Sequence, residues 1–128
     1  MNRYLLIALG AAAGANARYL IGLWAGNRLG ADFPYGTLIV NLSGSFILGL
    51  LLTLATGRLT LSPEARLLLT VGFLGSFTTF SSYTFETINL LREATLWRAA
   101  VNIMANNVAG IVCAILGVAL ARWLQSGG

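Results

Sequence analysis

Four long apolar stretches, separated by short polar or helix-breaking segments, account for almost the whole chain. Each is at least as long as the ~20 residues that an α-helix needs to cross the hydrocarbon core of a bilayer. The pattern predicts transmembrane helices over residues 3–25, 35–55, 63–91 and 96–124. We therefore expect an all-α membrane protein, with a single four-helix transmembrane domain over residues 1–128.

The segments between these stretches carry signals for helix ends. Residues 26–34 contain two glycines and end at Pro34, and residues 56–64 lead into a new helix. Ser62 is a natural N-cap, Pro63 suits the first helical position, and Glu64 would lie favourably in the first turn. Because the connections are short, consecutive helices should be antiparallel neighbours with both termini on one side.

The first stretch also has features of a secretory signal peptide. Arg3 precedes an apolar run, and Ala15-Asn16-Ala17 could serve as a cleavage site. The apolar character continues past Ala17 to about Ala25, however. We expect a retained spanning helix.

Composition excludes most soluble functions. The chain is 57% hydrophobic and 9% charged, with a mean hydropathy of +0.79, whereas soluble domains are about 25% charged. Cys113 is the only cysteine and there is no histidine, so neither a disulfide nor a zinc site is expected within one chain. With four acidic residues and no catalytic pair, we expect no enzymatic activity.

The arginines give almost no orientation bias. Four of the eight fall on the side of the termini and three on the other side, with Arg18 inside the first span; the first group is Arg3, Arg58, Arg66 and Arg122, and the second is Arg28, Arg92 and Arg98. An excess of positive charge normally sets the orientation of a small membrane protein. Its absence favours insertion in both orientations and an antiparallel homodimer, although a partner or the first helix could fix one orientation.

Small residues recur every four positions along the first helix, which puts them on one face. The set is Gly10, Gly14, Gly22 and Gly26, interrupted by Arg18. Such a stripe predicts close helix packing in lipid. An arginine within a span faces a cavity or partner, or snorkels to the interface, so Arg18 is either a structural or vestibule residue or a contact of the transported ion.

Two further helices carry asparagines on faces with small residues. Asn41 shares a face with Ser45 and Gly49, and Asn102 and Asn106 share one with Gly110. Amides in hydrocarbon need partners or water. They either bond the helices together or line an anion path as neutral donors; for Asn41 and Asn106 we favour the path.

The third stretch combines glycines, hydroxyl residues and aromatic rings at mid-membrane depth. The sequence over residues 72–84 is GFLGSFTTFSSYT. Such polar crowding is tolerated where a helix breaks and its freed backbone groups meet an ion or buried water. We expect a break here, with carbonyls near residues 75–79 suited to a cation and the following helix start suited to an anion.

This motif resembles the Fluc (CrcB) family of bacterial fluoride channels. Supporting similarities are Gly14 with Arg18-Tyr19, and the segment PYGT at 34–37 leading into NLSG at 41–44. The resemblance covers essentially the whole chain. It implies passive, fluoride-selective export across the bacterial cytoplasmic membrane, which lowers the fluoride concentration in the cell.

The resemblance also implies an assembly and a set of site residues. It implies an antiparallel dimer with two pores and a central structural Na⁺ held by the backbone carbonyls of Gly75 and Thr78. The implied anion path is formed by Asn41, Phe80, Ser81, Ser82, Tyr83 and Asn106. Many relatives carry phenylalanine at the position of Tyr83, and hydroxyl side chains at those of Asn102, Asn106 and Gly110.

Two other functions compete with this one. A small multidrug-resistance type, proton-coupled cation exporter resembles the chain in length, span number and dual topology, but it needs an acidic residue in the first helix, where this chain has Arg18. Only Glu86 lies within a span. A membrane scaffold would explain the glycine stripe but not the polar third segment.

Overall fold

The computed structural model describes residues 2–57, 61–93 and 96–127. Within these ranges every regular element is helical, which confirms the all-α fold. We number the helices α1 to α5: α1 (Arg3–Leu29), α2 (Tyr35–Ala55), α3 (residues 63–77, comprising Pro63–Arg66, the π-helical Leu67–Leu74 and Gly75–Phe77), α4 (Phe80–Glu93) and α5 (Leu96–Ser126, π-helical over Ala105–Ala109). The predicted position of Arg58 and parts of the predicted connections at 56–64 and 92–95 lie outside the described residues.

Helix α1 runs one turn beyond the predicted end near residue 25. It ends at Leu29, followed by Gly30 with φ 91°, a left-handed conformation that glycine adopts without a steric penalty. Arg28 lies in the last turn, where a cation stabilises the negative end of the helix dipole. The apolar run therefore ends about one turn before the helix does.

Three of the helices, α1, α2 and α5, are long and apolar enough to cross a membrane. Helix α4 has 14 residues, a length of about 21 Å at 1.5 Å per residue, and α3 is similarly short. Neither reaches the ~30 Å of a bilayer core by itself. The chain is a multi-pass membrane protein.

Glycines bring α1 and α3 into backbone contact. A Cβ atom on Gly14 would overlap the Phe73 carbonyl oxygen, and one on Gly72 would lie 2.8 Å from the Ile7 oxygen. Gly10 is equally tight against the backbone of α3. Gly10 and Gly14 of the predicted stripe thus pack closely, whereas a Cβ built on Gly26 would have no described atom within 4 Å apart from the adjoining backbone of α1.

Helices α2 and α5 contact each other in the same way. A Cβ on Gly49 would overlap the Ala114 carbonyl, and one on Gly117 would overlap the Phe46 carbonyl. Since hydrocarbon provides no hydrophobic drive between helices, such close approach supplies the dispersion contacts that hold them together.

Side-chain bonds at the two ends establish how the helices run. Gln125 Nε2 donates to the Thr53 carbonyl at 3.1 Å, so α2 and α5 end on the same side. Arg98 Nη1 donates to the Asp32 carbonyl at 3.3 Å, so α5 begins beside the α1–α2 connection. The predicted cap at Ser62 is confirmed, because its Oγ accepts from Ala65 N at 3.1 Å.

Candidate functional site

Two residues between α3 and α4 lie outside helical conformation. Thr78 has φ −82° and ψ 157°, which is extended backbone. Its N–H and its hydroxyl both donate to the Leu74 carbonyl, at 3.1 and 3.0 Å. Gly44 of α2 leaves room for the Thr78 methyl group, which a Cβ at position 44 would overlap. We call residues 78–79 the linker.

Asn41 takes the place of helical partners for the backbone of the linker. Thr79 N donates to Asn41 Oδ1 at 2.8 Å, and Asn41 Nδ2 donates to the Thr79 carbonyl at 3.0 Å. Thr79 is buried, so these groups would otherwise be costly to bury. An amide on α2 therefore stabilises the non-helical backbone of the linker.

The side chain of Thr79 caps helix α4. Its Oγ1 accepts from Ser82 N at 3.2 Å, the bond that an N-cap residue makes. The same hydroxyl donates to Ser82 Oγ at 3.1 Å and lies 3.3 Å from Ser81 Oγ. Ser81 and Ser82 thus form a hydroxyl cluster with Thr79 at the start of α4.

A chain of amides extends from Asn41 into α5. Asn41 Nδ2 donates to Asn106 Oδ1 at 2.9 Å, and Asn106 Nδ2 donates to Asn102 Oδ1 at 2.9 Å. Asn102 Nδ2 in turn donates to Thr87 Oγ1 of α4 at 2.9 Å. Asn106 lies in the π-helical turn of α5, a distortion often found at functional sites.

The two aromatic residues of the motif differ in exposure. Phe80 is 72% exposed, whereas Tyr83 is 7% exposed. Their rings meet edge to face, with centroids 5.3 Å apart. The Tyr83 hydroxyl accepts from Asn107 Nδ2 at 2.8 Å, so the phenol found in place of phenylalanine has a dedicated partner.

A groove of about 300 Å³ collects most of the predicted site residues. Its lining includes Asn41, Gly75, Thr78, Phe80, Tyr83 and Asn106. Ser81 and Ser82 lie beside it without lining it. Arg18 approaches from α1, where its Nη1 lies 3.5 Å from the Thr78 carbonyl, a long hydrogen bond. Every side chain that lines the groove is neutral.

A second cavity of about 530 Å³ opens at the end of the bundle where α1 and α2 connect. Its lining includes Asp32, Glu86, Glu93 and Arg98. Glu86 Oε1 accepts from Thr37 Oγ1 at 2.7 Å, while Oε2 is buried without a hydrogen-bond partner among the described residues. Sequence reasoning included Thr37 in the segment PYGT but gave its side chain no role.

Sequence reasoning also missed Thr87, and for Asn102 and Asn107 it expressed no preference between bonding helices together and lining an anion path. Thr87 lies one turn after Tyr83 and donates to its carbonyl at 2.8 Å. A threonine in a helix more often bonds the backbone than a neighbouring helix, so its own pattern gives little signal. The spacing of Tyr83 and Thr87 on the face of α4 that meets α5 was the signal available.

Comparison with known proteins places the chain in a family. The family model described as "CrcB-like protein, Camphor Resistance (CrcB)" matches residues 5–118. A protein of Chloroflexus aurantiacus named "Fluoride-specific ion channel FluC" is 52% identical over 96% of this chain and 98% of its own length. Proteins of the same name are 52% identical in a Roseiflexus species, over 92% and 95% of the two chains, and 48% identical in Solibacter usitatus, over 94% and 98%. The chain therefore belongs to the CrcB family.

Proposed function

We propose that this protein is a fluoride channel that lets fluoride leave the cell passively across the bacterial cytoplasmic membrane. The observation that carries the proposal is the neutral groove at the linker, lined by amides, hydroxyl groups and ring edges. Its relatives in Chloroflexus aurantiacus and Roseiflexus are named as fluoride-specific ion channels. Those names describe transport and no enzymatic reaction.

The chemistry of the groove suits a small anion in transit. Amide and hydroxyl hydrogens donate to an anion, and ring edges carry the positive part of the aromatic quadrupole. Conduction needs binding that is weak enough to release the ion at each site. Neutral donors meet that requirement better than a lysine, and Arg18 near Thr78 adds positive potential without lining the groove.

We propose that α3 and α4 together form the third span, interrupted at the linker. Each is too short to cross a bilayer core, and Thr78 has extended backbone between them. Non-helical backbone at membrane depth requires protein, water or an ion around it. Asn41 supplies part of that surrounding.

We propose further that two copies associate in antiparallel orientation, which gives two pores per dimer. The groove is open on the surface of one chain, and Phe80 at its edge is 72% exposed. Polar groups at that depth need cover from protein rather than lipid. The arginines are nearly balanced between the two sides of the membrane, four against three, which supports insertion in both orientations. The side of Arg58 is taken from the sequence alone.

A structural Na⁺ between the two copies belongs to the same proposal. Oxygen ligands suit a hard cation, and the carbonyl of Thr78 is directed away from helical bonding, with Arg18 Nη1 at 3.5 Å as its hydrogen-bond partner. Gly75 lines the open groove, and the atom nearest to a Cβ built on it would be the Thr70 carbonyl oxygen at 3.8 Å. The carbonyls of Gly75 and Thr78 would hold the ion, which would stabilise the dimer centre and would not be conducted.

One observation favours the competing function of a proton-coupled cation exporter. The buried, unpartnered Oε2 of Glu86 is the kind of group that such coupling uses. The other oxygen accepts a hydrogen bond from Thr37, however, and Arg98 lines the same cavity as Glu86. The variant Glu86→Gln distinguishes the two functions. If the protein were a cation exporter, the variant should lose proton-driven export; if it is a fluoride channel, the variant should keep passive fluoride release.

Efflux from proteoliposomes tests the proposal. Vesicles loaded with fluoride or with chloride receive valinomycin to dissipate the potential, and ion-selective electrodes follow the release. We expect fast fluoride release and no chloride release above that of empty vesicles. Equal release of both ions, or of neither, would refute a fluoride-selective channel.

A further inference from the structure

The three asparagines belong to a chain of hydrogen bonds whose polarity is fixed at one end by a backbone donor. The N–H of Thr79 can only donate, so the atom that it meets at 2.8 Å must be the oxygen of Asn41. The other terminal atom of the Asn41 amide is therefore its amino group, which donates to the Thr79 carbonyl and to Asn106 Oδ1.

The other end of the chain is fixed by a backbone acceptor. The carbonyl of Tyr83 can only accept, and it takes the hydroxyl hydrogen of Thr87 at 2.8 Å. The lone pairs of that hydroxyl are then left for the amino group of Asn102, at 2.9 Å. The oxygen of Asn102 consequently faces Asn106, as the 2.9 Å bond from Asn106 Nδ2 requires.

Both ends impose the same direction on the amide of Asn106. Its oxygen faces Asn41, and its amino group donates to the side-chain oxygen of Asn102 and to the Asn102 backbone carbonyl at 3.0 Å. Both hydrogens of Asn106 are thus engaged behind the groove. This differs from the sequence-based expectation that the amides of Asn41 and Asn106 act alike as donors to an anion.

Asn102 controls this arrangement from outside the groove. It has no exposed surface and does not line the groove. We propose that Asn102 is a positioning residue: it holds the oxygen of Asn106 against Asn41, so that the amino group of Asn41 is the donor that meets a passing anion. On this view the anion replaces Asn106 Oδ1 as the acceptor of one Asn41 hydrogen. The inference rests on the proposed function.

Two apolar substitutions of matched size separate this role from general packing. Asn102→Leu removes the side-chain acceptor of Asn106 and the donor to Thr87 while keeping the backbone carbonyl that Asn106 also meets. It should lower fluoride efflux by about tenfold or more, as loss of a residue that orients a functional group commonly does. Thr87→Val removes only the group that orients Asn102, and its effect should be smaller. Ser43→Ala is the control, because the Ser43 hydroxyl donates only within its own helix, to the carbonyls of Ile39 and Val40.

A double-mutant cycle with Asn106→Ser tests whether Asn102 acts through Asn106. A serine at 106 can donate to the carbonyl four residues earlier, as Ser43 does to Ile39, and so does not need the side chain of Asn102. In that background Asn102→Leu should change efflux no further. If the double variant lost efflux by the product of the two single losses, the positioning role would be contradicted, because the effects of substituting residues that act through one another are not additive.

NMR of protein labelled with ¹⁵N-asparagine in lipid nanodiscs supplies a readout that does not depend on transport. The side-chain amide proton of Asn106 that is bound to Asn102 Oδ1 should exchange slowly in the unmodified protein and at least tenfold faster in Asn102→Leu, with Ser43→Ala unchanged. Unchanged protection in Asn102→Leu would overturn the inference whatever the efflux results. Absence of fluoride release from the unmodified protein would refute the proposed function alone, since the amide exchange would still report on the chain of hydrogen bonds.

Discussion

Replacing Gly14 by alanine should push α1 away from α3. The new Cβ would lie 2.9 Å from the carbonyl carbon and 3.1 Å from the Cα of Phe73, and closer still to the carbonyl oxygen. Carbon atoms in good contact are about 3.5–4.0 Å apart, so the contact with the carbonyl carbon alone requires the helices to separate by roughly 0.6 Å, and the overlap with the oxygen requires more. All three contacts are with backbone atoms, which cannot turn aside as a side chain can.

The expected cost is that of overpacking, about 1–3 kcal/mol of the free energy of unfolding. Gly26→Ala, on the same face of α1, is the matched control because its Cβ would have no described atom within 4 Å apart from the adjoining backbone of α1. There the removal of backbone freedom should leave stability unchanged or raise it by up to about 1 kcal/mol. A glycine-to-alanine substitution is thus predicted to lower the free energy of unfolding at position 14 and not to lower it at position 26, about three turns further along the same helix.

Unfolding of the purified protein by SDS in mixed micelles, followed by circular dichroism, measures both variants. We expect the unfolding midpoint of Gly14→Ala to fall and that of Gly26→Ala to stay or rise. If both variants fell by the same amount, the close contact of α1 with α3 would not be the reason for the glycine at 14, and the packing argument would fail.

Three other predictions concern the groove and its surroundings. Asn41→Leu removes the partners of the linker backbone and should lower fluoride efflux by about tenfold or more, and efflux within the scatter of the unmodified protein would exclude Asn41 from the path. Phe80→Ala should lower efflux without shifting the unfolding midpoint of the dissociated single chain, where the ring is largely exposed; a lower midpoint with normal efflux would assign Phe80 to packing instead. Exchange of Na⁺ for a large organic cation should reduce the fraction of dimer measured by light scattering, and an unchanged fraction would count against the carbonyls of Gly75 and Thr78 as ligands.

The helical architecture could be predicted from the sequence because run length decides it. Lipid forces each backbone group to bond within its own segment, so long apolar runs have one solution. The first span was predicted to end near Ala25, where the apolar run stops, while the helix itself continues four residues further to Leu29. Hydrophobicity marks the membrane boundary, whereas the backbone conformation of a glycine marks the helix end.

The glycine stripe illustrates what a periodic pattern leaves open. Spacing puts Gly10, Gly14, Gly22 and Gly26 on one face, but it does not say where a second helix crosses that face. Helix α3 lies against the first two. At Gly22 the near neighbour is Gly36 of α2, since a Cβ on Gly36 would lie 2.8 Å from the Gly22 Cα.

The sequence indicated several residues that line the groove, and it did not indicate how their side chains are bonded to one another. Glycine, hydroxyl and aromatic residues at mid-span indicated the linker, and the asparagine spacing indicated a polar face. Which amide atom faces which neighbour depends on Thr79 and Thr87, which belong to other segments of the chain. Such polarity is a property of the packed helices, because a single helix does not fix the orientation of an amide.

Electrical recording from the protein in a planar bilayer tests the central claim most directly. With a tenfold gradient of fluoride and equal chloride on both sides, a fluoride-selective pathway should bring the current to zero near 59 mV, the potential for a monovalent ion at about that gradient. With a chloride gradient and equal fluoride on both sides, the zero-current potential should stay at zero. A potential that follows the chloride gradient, or the absence of any current carried by fluoride, would contradict the account.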